Sequence, residues 1–347
     1  MRGRNIIKPA AAAASSLLLL IVLFFLSACR AEKYPLRNEG MPEWCRVYFT
    51  PSDPVPERMI SLIENARKRI FCAFYSFTLE PVAEALLDAH RRGVEVRLVM
   101  DDSCAAASDS AADRFRELGL LKTDLAPGDF MHNKFMVIDG QITWTGSYNP
   151  GETGSYRDDN NVIVIASAGV AANFEKEFEE MWEGRFGSSS PGPTRNPRVR
   201  LNRVLVEQGF APEDPCARRL IEAIAGAKES IHFALFCFTL DPVAEALIRR
   251  ENDGIEIRGV MERGQNSPWC CFRMLEDAGI EVRWDNNLYY LHHKFFVIDG
   301  KTVITGSFNP SRHARLANDE NLLVIHHRAV ARKYLREFAR LWERKWE

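Results

Sequence analysis

The sequence carries one stretch twice, and the first copy reads His132-Asn133-Lys134-Phe135-Met136-Val137-Ile138-Asp139-Gly140, continues through Gln141 to Thr145, and ends in Gly146-Ser147-Tyr148-Asn149-Pro150. The second copy keeps every gap in register and reads His292-His293-Lys294-Phe295-Phe296-Val297-Ile298-Asp299-Gly300, then Lys301 to Thr305 and Gly306-Ser307-Phe308-Asn309-Pro310. In both copies apolar runs flank Asp-Gly, the residue pair that a type I′ turn favours. Each copy therefore predicts a β-hairpin.

Side chains two residues apart share one face of a strand. His132 and Lys134 are therefore expected to project together, and Ser147 and Asn149 to share a face just beyond the end of the partner strand. Each hairpin would gather an imidazole, an ammonium group and an amide on one side of a sheet.

The duplication extends well beyond the hairpins. From Trp44 onward the sequence can be laid on itself with a shift of 160 or 161 residues, which is far too long for a solenoid repeat. Helical and strand patterns alternate in the same order in both halves. This order predicts two similar α/β domains, each with helices covering a mixed central sheet, over residues 44–184 and 201–347. The Gly-, Ser-, Pro- and Arg-rich stretch 185–200 is interpreted as the linker between them.

The N-terminal segment has the pattern of an export signal. Arg2, Arg4 and Lys8 precede an alanine run and an apolar block that ends at Leu26. Cys29 closes a sequence that resembles the lipobox of bacterial lipoproteins, so residues 1–29 are expected to be a signal peptide and residues 30–43 a spacer. The expected location is the cell envelope, on its periplasmic or extracellular face. An uncleaved membrane anchor is the alternative, since the apolar segment approaches the about 20 residues that span a bilayer.

Composition and cysteine content narrow the function classes. The formal net charge of −2 argues against the broad basic surface typical of proteins that bind nucleic acid along their length, although it is compatible with a local basic cleft.

Cys72 and Cys237 fall in predicted core strands and are interpreted as buried apolar residues. The other five are Cys45, Cys104, Cys216, Cys270 and Cys271, an odd number whose pairing stays open. No Cys or His spacing predicts a zinc site.

The paired motifs suit phosphoryl transfer. An imidazole beside a fixed cation and neutral donors suits attack on a phosphoryl group, because negative charge accumulates on the phosphoryl oxygens and must be held. Displacement of an ester oxygen also needs a proton donor on the opposite face of phosphorus. Two histidines that face each other across a pseudo-twofold axis would satisfy both needs within one chain.

The spacing His-x-Lys, four residues, Asp, six residues, Gly-Ser-x-Asn resembles the phospholipase D superfamily, and the resemblance runs from about Trp44 to the end of the chain. It implies that one motif histidine forms a covalent phosphohistidine while the other protonates the leaving alcohol and then activates water, without a metal or other cofactor. By analogy His132 is assigned as the nucleophile and His292 as the acid and base. The implied phosphate ligands are Lys134, Lys294, Asn149 and Asn309, supported by Ser147 and Ser307.

Two further sets of acidic positions follow from the resemblance. Asp139 and Asp299 belong to the signature, but the hairpin makes them turn residues first. In family members a downstream acidic residue orients a motif histidine, and the matching positions are Glu320 and Asn160. Because an amide cannot stabilise an imidazolium as a carboxylate can, the two histidines are expected to differ in basicity. If these partners reach across the twofold axis, Glu320 would serve His132, and Asp159 could compensate for Asn160.

Several residues near the motifs have weaker patterns. His293 alternates with His292 and Lys294 along the strand, so it is expected on the opposite face as a packed or solvated residue. Trp284, Tyr289 and Tyr290 precede the second motif, where they could stack on a base, lie against acyl chains or simply pack.

Three hypotheses cover the substrate. The first is a membrane-tethered phospholipase D, with a transferase that uses an alcohol instead of water as its variant. The second is an exported nuclease acting on DNA, and the third is a binding module that has lost catalysis. No obligate protein partner is implied, and a monomer is expected, held at the membrane by its lipidated N-terminus.

Overall fold

The computed structural model describes residues 40–124, 129–190 and 192–344. The predicted signal peptide with Cys29, and most of the spacer 30–43, lie outside the described residues. Within the described ranges, no helix has the combination of length and apolar character that crossing a membrane requires.

Each half is built on one mixed sheet. The strands of the first half are β1 (Cys45–Thr50), β2 (Arg69–Phe74), β3 (Glu95–Met100), β4 (Leu121–Thr123), β5 (Lys134–Ile138), β6 (Ile142–Gly146) and β7 (Asn160–Ala166). Those of the second half are β8 (Arg198–Leu201), β9 (Val204–Ala211), β10 (Ser230–Leu235), β11 (Glu256–Met261), β12 (Glu281–Trp284), β13 (Lys294–Ile298), β14 (Thr302–Gly306) and β15 (Glu320–His326). The strand orders are β1-β7-β6-β5-β2-β3-β4 and β12-β11-β10-β13-β14-β15-β9-β8.

The helices follow the same duplicated order. They are α1 (Val55–Glu64), α2 (Glu80–Arg91), α3 (Asp102–Ala105), α4 (Ala112–Glu117), α5 (Glu152–Tyr156), α6 (Ala168–Trp182), α7 (Cys216–Ala225), α8 (Asp241–Asn252), α9 (Phe272–Asp277), α10 (Arg312–Leu316) and α11 (Arg328–Trp342). Short 3-10 turns lie at Gly187–Ser189 and Arg263–Gln265.

The sheets are mixed because one strand in each half pairs in parallel with one neighbour and antiparallel with the first strand of the hairpin. In the first half β2 pairs in parallel with β3 and antiparallel with β5. Both neighbours and the covering helices bury β2, which explains why its sequence is nearly continuously apolar. The predicted fold class, two similar α/β domains with mixed sheets, is confirmed.

The predicted hairpin turns form as type I′. Asp139 and Gly140 both have positive φ, 54° and 64°, and Asp299 and Gly300 have 52° and 56°. A type I′ turn requires positive φ at both central positions, which Asp and Gly tolerate better than other residues. The turn sets the strand register, with Ile138 opposite Ile142 in the first copy. Register then fixes which residues emerge together at the open end of each hairpin.

The two halves share one hydrophobic core. The last helix of each half packs on its own sheet and also against a strand of the other half, α6 against β9 and α11 against β1. Phe174 on α6 meets Phe210 edge to face at a centroid distance of 5.0 Å, and Tyr334 on α11 meets Phe49 at 5.3 Å. Burying large aromatic rings across this boundary holds the halves in a fixed relation. Residues 198–200, assigned to the linker from the sequence, form the start of β8.

All seven cysteines in the described residues are free thiols. Cys72 is fully buried in β2, as predicted. Cys237 was expected in a core strand, but β10 ends at Leu235 and Cys237 lies partly exposed just beyond it. The apolar run continues past the last ladder pair, so sequence pattern alone overextended the strand.

Candidate active site

The tertiary fold brings the two motif histidines into one site. Each lies just before its hairpin strand and is tied to the opposite half by a backbone hydrogen bond. The N–H of His132 donates to the carbonyl of Asp319 at 3.0 Å, and the N–H of His292 donates to that of Asp159 at 2.9 Å. Short parallel bridges, Met131 with Asp319 and Leu291 with Asp159, continue these contacts. The open end of each hairpin is therefore positioned by the other half.

Both imidazoles have a partner from across the twofold axis. Nδ1 of His132 lies 2.8 Å from Oε1 of Glu320, and Nδ1 of His292 lies 2.8 Å from Oδ1 of Asn160. The amide of Asn160 is oriented because its Nδ2 donates to the carbonyl of Gly154 at 3.1 Å and its Oδ1 accepts from the hydroxyl of Ser147 at 3.0 Å. Because Oδ1 of Asn160 can only accept, Nδ1 of His292 carries the hydrogen and donates a hydrogen bond to it, which leaves the lone pair of the neutral imidazole on Nε2.

The motif lysines are buried beside the histidines. Nζ of Lys134 donates to the carbonyl of His132 at 2.6 Å, and Nζ of Lys294 donates to that of His292 at 2.8 Å. Lys134 is only 1% exposed to solvent and Lys294 only 3%. Each ammonium also lies over an aromatic ring, Lys134 at 5.1 Å from the Tyr75 centroid and Lys294 at 4.8 Å from that of Phe236. Each lysine is thereby held close to its own histidine.

An aromatic column leads from the surface to each histidine, which the sequence did not predict. Tyr75 packs edge to face on His132 at 5.0 Å, and Phe130 packs on Tyr75 at 5.7 Å. In the second half Phe236 packs on His292 at 4.8 Å and Tyr290 on Phe236 at 5.8 Å. The repeat itself held the signal, since Tyr75 and Phe236 occupy matching positions just after β2 and β10.

Burial and like charge shift the pKa values of the ionisable groups in the site. Burial, and then Lys134 and Lys294, lower the pKa of both His132 and His292 well below the usual value. Burial lowers the pKa of Lys134 to about 7, against the opposing effect of Glu320, and that of Lys294 falls well below its usual value for the same first reason. Burial also raises the pKa of Glu320 to about 8. A bound anion would relieve this excess of desolvated positive groups.

The motif Ser and Asn residues complete the inner wall. The hydroxyl of Ser147 accepts the N–H of Asn161 at 3.0 Å, and that of Ser307 accepts the N–H of Asn321 at 2.9 Å. Both serines are fully buried and brace the start of β7 and β15. Asn149 lines a cavity beside His292, and its Oδ1 makes no hydrogen bond within the described residues.

Asp159 does not compensate for Asn160, contrary to the expectation from the sequence. Its carboxylate accepts from Arg344, with Nη1 at 2.7 Å and Nη2 at 2.8 Å, and also pairs with Arg340 on α11. Asp159 directly precedes β7, and because adjacent residues of extended chain alternate, its side chain points to the face opposite Asn160. Two arginines from the second half therefore neutralise this carboxylate behind the site.

Asp139 and Asp299 lie at the turn end of each hairpin, away from the histidines. The carboxylate of Asp139 accepts the N–H groups of residues 67–69, with the shortest contact, 2.7 Å, to Lys68. Asp299 binds residues 228–230 in the same way, with 2.7 Å to Glu229. This placement agrees with a turn role for the signature aspartates.

His293 is a buried structural residue, as its strand position suggested. Its Nδ1 lies 3.2 Å from Oδ1 of Asn161 and its Nε2 lies 3.1 Å from Glu337. Trp284 stacks on Phe272 at 3.9 Å and so packs rather than lining the cleft. Tyr290 lines the cavity beside His292, whereas the hydroxyl of Tyr289 accepts from Arg157 at 2.9 Å.

Two groups of carboxylates in the described residues are spaced so that a cation could bridge them. They are Asp101, Asp102 and Asp124, and Glu177, Glu180 and Glu213. Neither includes a motif histidine. Asp124 already accepts the N–H groups of Asp102 at 2.7 Å and Met131 at 3.0 Å, so it ties the start of α3 to the residue just before His132.

A family model described as the cardiolipin synthase, PLD-like domain matches residues 59–182 and again residues 220–342. The chain belongs to this phospholipase D-like family. The two matches coincide with the two halves of the duplication, each carrying one hairpin and one motif histidine.

Known proteins agree with this membership. A mitochondrial cardiolipin hydrolase of Chlamydomonas reinhardtii is 28% identical over 155 residues, 44% of this chain and 70% of that protein. Cardiolipin synthase A of Klebsiella pneumoniae is 25% identical over 317 residues, 80% of this chain but 65% of that protein. A phosphatidylserine synthase from Haemophilus influenzae Rd KW20 superposes with a TM-score of 0.66 over 85% of this chain and 86% of that one, and at 13% identity it shows the fold alone. The predicted class, a phospholipase D-like enzyme of phosphodiester chemistry, agrees with these relatives.

Proposed function

We propose that this protein hydrolyses the headgroup phosphodiester of phospholipids at a membrane surface, through a phosphohistidine on His132. The observation that carries the proposal is the crossed pairing at the site. His132 with Glu320 and His292 with Asn160 converge from different halves onto one space flanked by Lys134 and Lys294. A phosphate there would meet a nucleophile, an acid and two cations together.

The first step forms the covalent intermediate. Nδ1 of His132 faces the Glu320 carboxylate at 2.8 Å, so a proton on Nδ1 would leave the Nε2 lone pair to attack phosphorus. A bond forms between Nε2 and phosphorus as the bond to the leaving alcohol oxygen breaks, and His292 donates its Nε2 proton to that oxygen. The ionised Glu320 would stabilise the positive charge that develops on His132, whereas Asn160 offers His292 no such charge. This inequality supports His132 as the nucleophile.

Protonation of His292 must come with the substrate. Burial and then the two lysines lower the pKa of His292. A phosphodiester anion between the lysines would cancel part of their charge and raise the pKa of His292 again. In the second step His292 accepts a proton from water, the water oxygen attacks phosphorus, and the bond to His132 breaks. The lysines and Asn149 and Asn309 would hold the phosphate oxygens throughout.

Relatives support the lipid substrate. The names of the Chlamydomonas and Klebsiella proteins place both in cardiolipin chemistry, and a Rickettsia prowazekii relative, 31% identical over 139 residues, is a phospholipase D. The net charge of −2 fits a lipid substrate better than a long polyanion.

The test follows headgroup release from phospholipid in mixed micelles, beside nicking of a plasmid in EDTA, for the wild type and His132→Ala. We expect lipid turnover that His132→Ala abolishes, and an acid-labile phosphoenzyme trapped by rapid quench in the wild type. Plasmid cleavage without lipid turnover would replace this proposal with an exported nuclease. Absence of both activities would favour a binding module.

We further propose that the chain is exported and anchored through a lipid on Cys29. The charged and apolar N-terminal pattern supports this, and an anchor would hold the enzyme at its substrate's surface. Metabolic labelling with a fatty acid, compared between the wild type and Cys29→Ala, tests it. Equal labelling of the two proteins would contradict it.

A further inference from the structure

A cavity of about 490 Å³ opens beside His292 and is acidic. Asp109, Glu152 and Asp158 line it, and among its described lining residues there is neither Lys nor Arg. Asp158 is only 8% exposed, and its Oδ1 accepts the N–H of Tyr290 at 3.1 Å. A negative wall this close to two phosphate-binding lysines needs a reason, because it opposes the binding of any second anionic group.

The duplication provides an internal comparison. Helix α5, which carries Glu152, matches α10 at a shift of 160 residues. On the His132 side the positions of Glu152 and Asp158 hold Arg312 and Asn318. Asn318 repeats the contact of Asp158, since its Oδ1 accepts the N–H of Phe130 at 3.3 Å. The backbone arrangement is thus conserved between the halves while the charge is not, so the carboxylates are not required to form it.

The cavity also has aromatic walls. Phe236 and Tyr290 line it and meet edge to face at 5.8 Å. Aromatic faces next to carboxylates suit an alkylammonium group, which gains from both the ring quadrupole and the negative charge. The volume lies within the range of small-ligand pockets and accommodates a compact headgroup.

The cavity lies on the side of the general acid. If His132 attacks phosphorus, the leaving alcohol must depart beside His292, which also lines the cavity. We propose that this cavity, bounded by Asp158, Glu152, Phe236 and Tyr290, is the subsite for a cationic amino-alcohol headgroup, such as ethanolamine or choline, as it leaves. The inference rests on the proposed function. It implies that a phospholipid whose leaving group is itself anionic is a poor substrate in this orientation.

The experiment compares soluble short-chain phospholipids below their micellar concentration, which removes surface-charge effects. Phosphatidylcholine and phosphatidylethanolamine are set against phosphatidylglycerol for the wild type, Glu152→Gln, Asp158→Asn and the double variant. We expect the wild type to favour the cationic headgroups in kcat/KM. Each single variant should lower kcat/KM for them by about fivefold to tenfold and leave phosphatidylglycerol unchanged or faster.

Arg312→Gln is the matched control, since it changes charge at the equivalent position on the opposite side, and it should leave the headgroup ratio intact. Asp158→Asn introduces the residue that the first-motif side already carries, so it is expected to fold. Equal turnover of all headgroups by the wild type, or an unchanged headgroup ratio in the double variant, would contradict the subsite. The proposed function would still stand if hydrolysis of bis(p-nitrophenyl) phosphate and of lipid depended on His132. Loss of all lipid turnover in the wild type overturns both.

Discussion

Glu320→Gln separates the catalytic role of this buried carboxylate from its effect on stability. The side chain is fully buried, and its Oε1 lies 2.8 Å from Nδ1 of His132. Glutamine keeps the shape and an acceptor oxygen, and the symmetric His292 with Asn160 shows that an amide can hold an imidazole in this geometry. The substitution therefore removes the charge and leaves the orientation.

The expected loss of activity follows from the charge. Hydrogen bonds to charged partners contribute about 1.5–3 kcal/mol and neutral ones about 0.5–1.5. Because Glu320 is fully buried, we expect a value near the upper end of the range for charged partners. The transition state, in which His132 becomes positive, should therefore lose about 2–3 kcal/mol of stabilisation in the variant. This corresponds to a fall of roughly 30-fold to 150-fold in kcat/KM. The wild-type rate should also rise as pH approaches the pKa of Glu320, about 8, and the variant should lack that rise.

Stability should change in the opposite direction. Burial raises the pKa of Glu320 from 4.5 to about 8 in the folded state. Its contribution to stability is therefore fully present below pH 4.5 and is lost as pH rises through 8. The variant escapes this loss, but Lys134 loses the carboxylate that raises its own pKa. We expect a net gain on the order of 2 kcal/mol at pH 9 and none near pH 4.

Steady-state kinetics on short-chain phospholipid between pH 5 and 9 and urea unfolding at pH 4 and 9 measure both effects. Asn160→Gln is the control at the symmetric position, because it places the same glutamine beside His292 without removing a charge. A variant with wild-type kcat/KM, or one that is less stable than the wild type at pH 9, would refute this account of Glu320.

The other predictions concern the second histidine, the layer behind the site and the turns. Asn160→Asp places a carboxylate beside Nδ1 of His292 and should raise the pKa of this histidine, so the alkaline limb of the pH profile, where the general acid loses its proton, should move to higher pH; an unmoved alkaline limb would argue against His292 as the titrating acid. His293→Asn copies Asn133 of the first half and should lower the free energy of unfolding by about 1–3 kcal/mol, because contacts to Asn161 and Glu337 are lost, while kcat stays within about threefold of the wild type; a large fall in kcat would assign His293 to the chemistry. Asp299→Ala removes an acceptor for three N–H groups and should destabilise the protein by about 1–3 kcal/mol at pH 7. The same N–H groups lower the pKa of Asp299 against the opposing effect of burial, so their stabilisation is present above the usual pKa of a carboxyl group and is lost as pH falls through the lowered pKa. The difference in free energy of unfolding between variant and wild type, measured in urea, should therefore shrink in acid, while activity per folded molecule should persist.

Local sequence was sufficient for much of the fold. Asp139-Gly140 predicted the type I′ turn because only residues that tolerate positive φ fit its two central positions. Alternation along the strand then separated His292 and Lys294 from His293. The shift of 160 residues revealed the duplication, and with it the need for two motifs in one site.

Local sequence could not predict which way the carboxylates point or what they meet. Asp159 and Asn160 are neighbours, yet Asp159 binds Arg340 of the last helix and Arg344 just after it, whereas Asn160 orients His292, 132 residues away along the chain. The expectation that Asp159 compensates for Asn160 rested on their adjacency in the chain, and it was wrong because adjacency does not determine which residues of the other half each side chain meets.

By itself the sequence determined the hairpins, their turns, the shared faces of His and Lys, and the duplication, since these depend on backbone preferences over a few residues. The tertiary structure decided that Glu320 faces His132, that Asp159 is neutralised behind the site, and that the cavity beside His292 is acidic while the matching side carries Arg312. Those features depend on two sheets packing around a common core, which brings together residues more than a hundred positions apart. Packing geometry of this kind depends on the whole chain and cannot be predicted from any local sequence pattern.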